Sequence, residues 1–432
     1  MEQKNLKTYQ EMSAAERRAE LAAQKKLYEQ EKAAGYHFDM SRGKPDATQL
    51  NLSMDILAQN PYDLIYTRKG TDVRNYGELA GVDEAKELFG EVLGVPMENI
   101  IIGGQSSLAL MYDNVIKAYV LGVYGGSKPW GRQEANPRFL CPVPGYDRHF
   151  RITEEFGIEM ISIPMTPQGP DMDLVRQYVE SDPAVKGIWC VPKYSNPQGY
   201  TYAPETVEAF AALKPAADDF RIFWDNAYYV HGFREQDDYL LNIFDACRKY
   251  GSEDMVYEFM STSKVTFAGA GVAVLAASAN NIAFLTRQMS VQTLGYNKIN
   301  QLRHVRYFRN VDGLRVHMRK QAMYLRPKFD CALAALDRGL SGLGIGTWTN
   351  PNGGYFISYD GLPGTARRCF ELCAAAGVRL TDAGSCYPYG VDPEDKNIRI
   401  APSYPGTAEL YQSMNIFCTC QKIAALETLM DK

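Results

Sequence analysis

The sequence predicts an α/β protein: a largely parallel central sheet with helices on both faces, and a smaller α+β domain beside it. Three observations carry that expectation. Short apolar runs recur through the middle of the chain, several of them apolar at successive positions, as strands buried on both faces should be. Longer amphipathic stretches separate these runs. After residue 281 the texture changes to a long basic helical stretch and then to short mixed segments.

In order, the N-terminal stretch is charged, and Ser13 followed by Glu16 has the form of a capping box opening a helix that ends near Gly35. The expected strands are "NIIIGG" (99–104), "PRFLCPVP" (137–144), "EMISIPM" (159–165), "KGIWCVP" (186–192), "FRIFWD" (220–225), "MVYEFMS" (255–261) and "GVAVLAAS" (271–278). Between them, "SSLALMYDNVIKAYVLG", "DMDLVRQYVESD" and "PETVEAFAALKPAADDF" read as helices. The basic stretch beginning "NKINQLRHVRYFR" is helical with a break near Asp312–Gly313. "GGYFISYDG", "AAAGVRLTDAG" and "NIRIAPSY" then build the small domain. The expected division is residues 1–60 joining the small domain, 61–305 as the large domain, and 306–432 as the small C-terminal domain.

The 432 residues are 46 % hydrophobic and 22 % charged, which is globular composition with ample material for a core. A net charge of −5, spread along the chain, argues against a nucleic-acid partner. The N-terminus has no apolar signal-peptide region. No apolar run approaches the roughly 18 residues of a membrane helix. Nine scattered cysteines without a CxxC pair read as reduced thiols, not as a disulfide framework or zinc site. The setting expected is cytoplasmic, with no metal and no membrane. The five histidines form no HExxH, and His149 and His231 read as structural. "GAGVAV" leads into a strand rather than a helix, so it is no dinucleotide fingerprint.

Chemistry gathers just past the strand ends, in "GGQSS", "PGYDRH", "KYSNPQG", "NAYY" and "TSK". Ligands of open α/β sheets bind outside the carboxyl ends of the strands. One cleft should therefore hold Ser106, Ser107, Tyr146, Asn196, Asp225, Tyr228, Ser261 and Lys264. Singly, each has a plain structural reading: "GGQSS" as a helix cap, Asp225 as another, "SNPQG" as a turn, Tyr146 as a core ring. Lys264 is harder to dismiss, because Thr262, Ser263, Val265, Thr266, Phe267 and Ala268 make a small and apolar setting for a charge. As a set, a phosphate cradle at a helix N-terminus, a stacking ring, a carboxylate and an amine meet the needs of pyridoxal phosphate. Its aldehyde needs the amine and its pyridine nitrogen the anion. Its ring oxygen needs donors, which Asn196 and Tyr228 can supply.

With "SRGKP", "NYGELAG", "PGYDRH", "SNPQG", "WDNAYY", "STSK" and "IRIAPSYP" in this order, the chain from about residue 36 onward resembles the fold-type I pyridoxal-phosphate aminotransferases. It is most similar to their bacterial aspartate aminotransferase branch. The resemblance implies that Lys264 is the Schiff-base lysine and proton shuttle, and that Asp225 pairs with the pyridinium nitrogen. It implies that Asn196 and Tyr228 hold the ring oxygen and that Tyr146 stacks on the ring. Ser106, Ser107 and Ser261 would hold the phosphate, with Tyr76 reaching it from the partner subunit of a homodimer with shared active sites; Ser263 is a further candidate hydroxyl for the phosphate. Arg399 matches the clamp for the substrate α-carboxylate, joined by Asn196, and Gly43 the glycine whose backbone closes over it. Where that family carries a phosphate-binding arginine, this chain has Val272, which leaves part of the phosphate charge unassigned.

The implied reaction moves an amino group from an amino acid to a 2-oxo acid, foremost from aspartate to 2-oxoglutarate. A transaminase of another amino acid, or a pyridoxal-phosphate lyase or decarboxylase, fits the same scaffold. A ligand-sensing regulator would need a DNA-binding module, and residues 1–35 show no helix-turn-helix pattern. A dicarboxylic substrate needs a second cation, for which Lys298, Arg303 and Arg306 are the candidates; Lys298 is also the candidate partner for the phosphate.

Overall fold

The structure, a computed structural model, describes residues 7–431. Its strands are, in chain order, β1 (Phe38–Asp39), β2 (Ile100–Ile102), β3 (Arg138–Val143), β4 (Glu159–Thr166), β5 (Gly169–Pro170), β6 (Val185–Cys190), β7 (Arg221–Asp225), β8 (Val256–Ser261), β9 (Ala273–Ala277), β10 (Gly346–Trp348), β11 (Ile357–Gly361), β12 (Val378–Arg379) and β13 (Asn397–Ile400). An eight-stranded sheet has the order β2-β9-β8-β7-β6-β3-β4-β5. From β4 through β3, β6 and β7 to β8 every pairing is parallel. β9 runs against both β8 and β2, so β2 points the same way as the central strands. The sheet is largely parallel, as expected, and each run anticipated in the sequence is one of its strands.

Consecutive apolar residues are needed because each strand feeds two cores. Ile222, Trp224, Val256 and Met260 point into one cluster, and their neighbours Phe223, Tyr257 and Phe259 into another. Successive strand residues face opposite sides, so a sheet covered on both faces is apolar at most alternate positions, with buried Arg221 and Glu258 as exceptions. Helices Asp83–Leu93, Met172–Ser181 and Pro204–Ala211 cover the first face with Phe89, Val175 and Phe210. Helices Ser107–Val120, Asp147–Glu155 and Ala279–Met289 cover the second with Met111, Phe150 and Leu285.

Two expectations need correcting. The helix starting at Pro204 stops at Ala211, well short of the amphipathic stretch. Pro215 lacks a backbone N–H and disfavours helix in the residue before it. The break in the basic stretch falls at Arg309, which has φ 66°, and not at Asp312–Gly313. Asn310 caps the new helix by accepting the Gly313 N–H, and Gly313 lies inside it, where a Cβ would collide with the Phe308 carbonyl.

That second helix, Val311–Leu340, starts in the core beneath the large sheet with Leu314 and Met318. It ends in a separate core with Leu325, Phe329 and Leu336. The latter core also receives the antiparallel sheet β10-β11-β13 and helix Thr407–Met430. The N-terminal helix Ala14–Ala33 opens with the expected Ser13–Glu16 capping box. It docks on the C-terminal elements: Arg17 Nη1 donates to Leu429 O and Tyr28 Oη to Leu372 O, each at 3.0 Å. β1 pairs in parallel with β12. No helix among the described residues is long and apolar enough to cross a membrane.

Candidate active site

β2, β3, β6, β7 and β8 all end at the same edge of the sheet, and the loops beyond them carry the residues singled out above. Tyr146, Asn196, Tyr228, Lys264, Arg399 and Gly43 line one cavity of about 700 Å³. Gly43 is there because the chain passes close to a ring: a Cβ would lie 2.5 Å from Phe356. The Arg399 guanidinium lies over the same Phe356 ring, 4.8 Å from its centroid.

Lys264 extends from the turn after β8 towards two aromatic faces, with Nζ 5.0 Å from the Tyr228 ring centroid and 6.0 Å from that of Tyr355. Burial lowers its pKa, while the charge of Asp225 opposes the shift and that of Arg399 adds to it. The backbone beneath it is pinned by polar groups. Tyr355 Oη donates to Lys264 O at 3.4 Å, and His317 Nε2 lies 2.7 Å from Val265 O. Gln321 also donates to Val265 O and accepts from Gln49, so helices far apart in the chain hold one turn. His231 stands edge-on to Tyr228 and Tyr355; burial, then the nearby Lys264 charge, lowers its pKa to about 3.

Asp225 closes β7 and is buried. Its Oδ2 lies 3.0 Å from His149 Nε2, and the His149 ring stacks on Trp189 at 4.4 Å with 9° between planes. Tyr146 meets the same imidazole edge to face at 4.9 Å. Asp225 Oδ1 is buried with no hydrogen-bond partner among the described residues. An acceptor left so is costly, and this one has capacity for a donor on a bound group.

The expected single cleft is divided: its serines and Asp225 do not line the Lys264 cavity, and the serines gather at the start of helix Ser107–Val120, where Ser106 lines a separate cleft with Tyr296. Ser261 Oγ donates to Ser263 Oγ at 3.1 Å, and Ser263 Oγ to Gln105 O at 2.9 Å. Ser106 is the N-cap residue, yet its side chain makes no capping bond. The first-turn N–H groups of that helix and these hydroxyls suit an anion. Val272 brings no charge: its side chain is in the core and its N–H donates to Thr262 Oγ1 at 2.9 Å.

Lys298, Arg303 and Arg306 do not line the cavity. Lys298 Nζ donates to Gly77 O at 3.1 Å, and Arg306 lies in a different cleft with Asp55 and Asp63. Their helix packs against the turn that carries Lys264, with His304 Nε2 2.9 Å from Thr266 Oγ1, yet none of the three cations enters the cavity. The cations that do line the cavity are Arg42, Lys44, Arg148, Arg151 and Arg379, beside Arg399. Lys44 lies 3.6 Å from Asp39, and Arg151 is 2.7 Å from Glu154. Tyr76 is 77 % exposed and outside the cavity of its own chain.

Sequence reasoning undervalued His149 and passed over Asp147, Arg148 and Tyr355. The signal for the first three was the spacing in "PGYDRH". Asp147 begins a helix, which puts His149 into its buried face and Arg148 at its exposed side.

Residues 12–432 match the family described as aspartate amino-transferase. An aspartate aminotransferase of Corynebacterium glutamicum is 44 % identical over 403 residues, covering 93 % of each chain. The crystal structure of an aspartate transaminase from that organism superposes with a TM-score of 0.95 at 42 % identity, covering 98 % of this chain and 99 % of that one. At 16 % identity, the Thermus thermophilus aspartate aminotransferase with maleate still gives a TM-score of 0.67 over 93 % of this chain and 96 % of that one, a likeness of fold. The chain belongs to the aspartate aminotransferase family, within the fold-type I aminotransferases.

Proposed function

We propose that this chain is a pyridoxal-phosphate-dependent aminotransferase that exchanges aspartate and 2-oxoglutarate for oxaloacetate and glutamate. The observation that carries the reading is the unpartnered Asp225 Oδ1 beside a lysine of lowered pKa and a buried arginine. When bound, the cofactor supplies an aldehyde and a ring that accepts electrons from the substrate Cα. Asp225 offers Oδ1 to the ring nitrogen, with His149 on its other oxygen. Tyr146 stacks on the ring. Asn196 accepts from Arg399 through Oδ1 at 3.2 Å, which leaves its amide N–H groups, with the Tyr228 hydroxyl, for the ring oxygen. Ser106, Ser107, Ser261, Ser263 and the helix N-terminus hold the phosphate. Lys264, neutral more readily because burial lowers its pKa, would take the proton from the substrate Cα and hold it on Nζ for return to the cofactor carbon.

Arg399 receives the α-carboxylate, with the Gly43 backbone against it. For the distal carboxylate the reading moves to the cavity arginines Arg42, Arg148 and Arg379, with Arg148 foremost because it stands beside Asp147, the partner of Arg399. A pocket built around such a cation rejects substrates that leave it unpaired. With 2-oxoglutarate as acceptor, kcat/KM for aspartate should exceed that for alanine, leucine or tyrosine by about 100-fold or more. A preference for an apolar or aromatic amino acid would sink the aspartate reading. Release of ammonia or carbon dioxide in place of glutamate would point to the lyase or decarboxylase.

The working unit of this reading is a homodimer in which Tyr76 reaches the phosphate of its partner. Its exposure and its absence from the cavity of its own chain support that role. Mixing Tyr76→Phe chains with Lys264→Ala chains should regain activity by forming one intact site per hybrid. If hybrids form and activity stays at the level of the parents, Tyr76 does not act in trans. A cytoplasmic setting is part of the same reading, supported by nine unbridged thiols.

A further inference from the structure

We propose that Asp147 is the resting counter-ion of Arg399, a carboxylate that substrate has to displace. The inference rests on the reading of Arg399 as the α-carboxylate site. Arg399 is 6 % exposed, and an unpaired charge so buried would be costly. Its five N–H groups can be counted. Nε donates to Thr381 Oγ1 at 3.3 Å. The two N–H groups of Nη1 go to Asp147 Oδ1 at 2.8 Å and Asn196 Oδ1 at 3.2 Å. Nη2 alone is left for a ligand, and one nitrogen does not make the two parallel bonds that bind a carboxylate well.

The second oxygen of Asp147 points the same way. Oδ2 lies 3.9 Å from Arg148 Nε, so one side-chain carboxylate spans the two guanidinium groups assigned to the two ends of a dicarboxylic substrate. Asp147 is also the first residue of helix Asp147–Glu155, where the helix end favours a negative charge. Its side chain is 24 % exposed, in contrast to Arg399, which gives it a way out towards solvent. Two carboxylates on one guanidinium repel each other, so an incoming α-carboxylate gains its bidentate contact as Asp147 leaves. Asp147 thereby keeps the arginine paired between turnovers and weakens every carboxylate ligand by the free energy of its own contact.

The test is succinate, a dicarboxylate without the amino or oxo group, titrated calorimetrically into the holoenzyme. In Asp147→Asn, which keeps the shape and removes the charge, its dissociation constant should fall by about 10-fold. KM for aspartate should fall with it, and kcat at saturation should stay within about 3-fold. Asp147→Ala, compatible with the first position of a helix, should show the same signs if the asparagine variant folds poorly. A succinate affinity unchanged or weakened in both variants would overturn the proposal and make Asp147 a brace that aims Arg399. Arg399→Lys tests the assignment of Arg399 on which both rest. It should lose succinate binding; if it binds as the wild type does, the assignment of Arg399 itself fails and takes the proposal with it.

Discussion

Replacing Lys264 by alanine should lower single-turnover transamination of aspartate by at least about 10⁴-fold, the upper end of what a positioned acid–base group contributes. The loss is expected to be that large because no other amine in the cavity is free to take over. The second lysine there, Lys44, lies 3.6 Å from Asp39 and over the Tyr404 ring at 3.7 Å. Folding should be little affected, since the turn is held by its backbone, through Tyr355 on Lys264 O and His317 on Val265 O, and not by the amine. Two measurements check the assignment. Borohydride treatment of the wild type should fix cofactor to the peptide carrying Lys264, and methylamine should restore part of the activity of Lys264→Ala. Recovery of the cofactor on another lysine would end the case for Lys264.

Asp225→Asn should cost at least about 100-fold in kcat/KM, the equivalent of roughly 3 kcal/mol for a charged hydrogen bond in a buried site. The substitution keeps the volume, so the end of β7 and its pairing with β8 should survive. What changes is charge. The unpartnered Oδ1 loses its pull on a protonated ring nitrogen, and His149 loses an anionic neighbour 3.0 Å away. Lys264 is affected as well. Asp225 raises the lysine pKa against the effect of burial, so its removal should lower that pKa further. Equilibrium dialysis of the cofactor together with kcat/KM across pH reads both effects. An activity within about 3-fold of the wild type would mean that Asp225 serves only to seat His149.

The central sheet was legible in the chain because burial on both faces leaves a local mark. "IFW" in "FRIFWD" and "MVY" in "MVYEFMS" are apolar at successive positions, and that pattern survives without knowledge of any partner strand. The edge on which ligands collect was legible for a related reason. Polar and ionisable residues directly after such runs, as in "NAYY" and "TSK", lie at strand ends wherever the strands are placed. Lys264, Asp225, Tyr146 and Asn196 could thus be named together from spacing alone.

What the tertiary structure decided is which charges face each other. His149 meets Asp225 across 76 positions because only β6 separates β3 from β7, and the His149 ring lies on Trp189 of β6 to reach the end of β7. Arg399 meets Asp147 across 252 positions because β13, in a different sheet, ends at the same cavity. Lys298, Arg303 and Arg306 suit a distal carboxylate by composition, yet Lys298 is buried with its amine on Gly77 O, and Arg306 lies in a different cleft. Hydrophobic periodicity reports which side of an element is buried. It carries no information on which ionisable group stands opposite, since Coulomb pairing depends on distances set by strand order and helix packing.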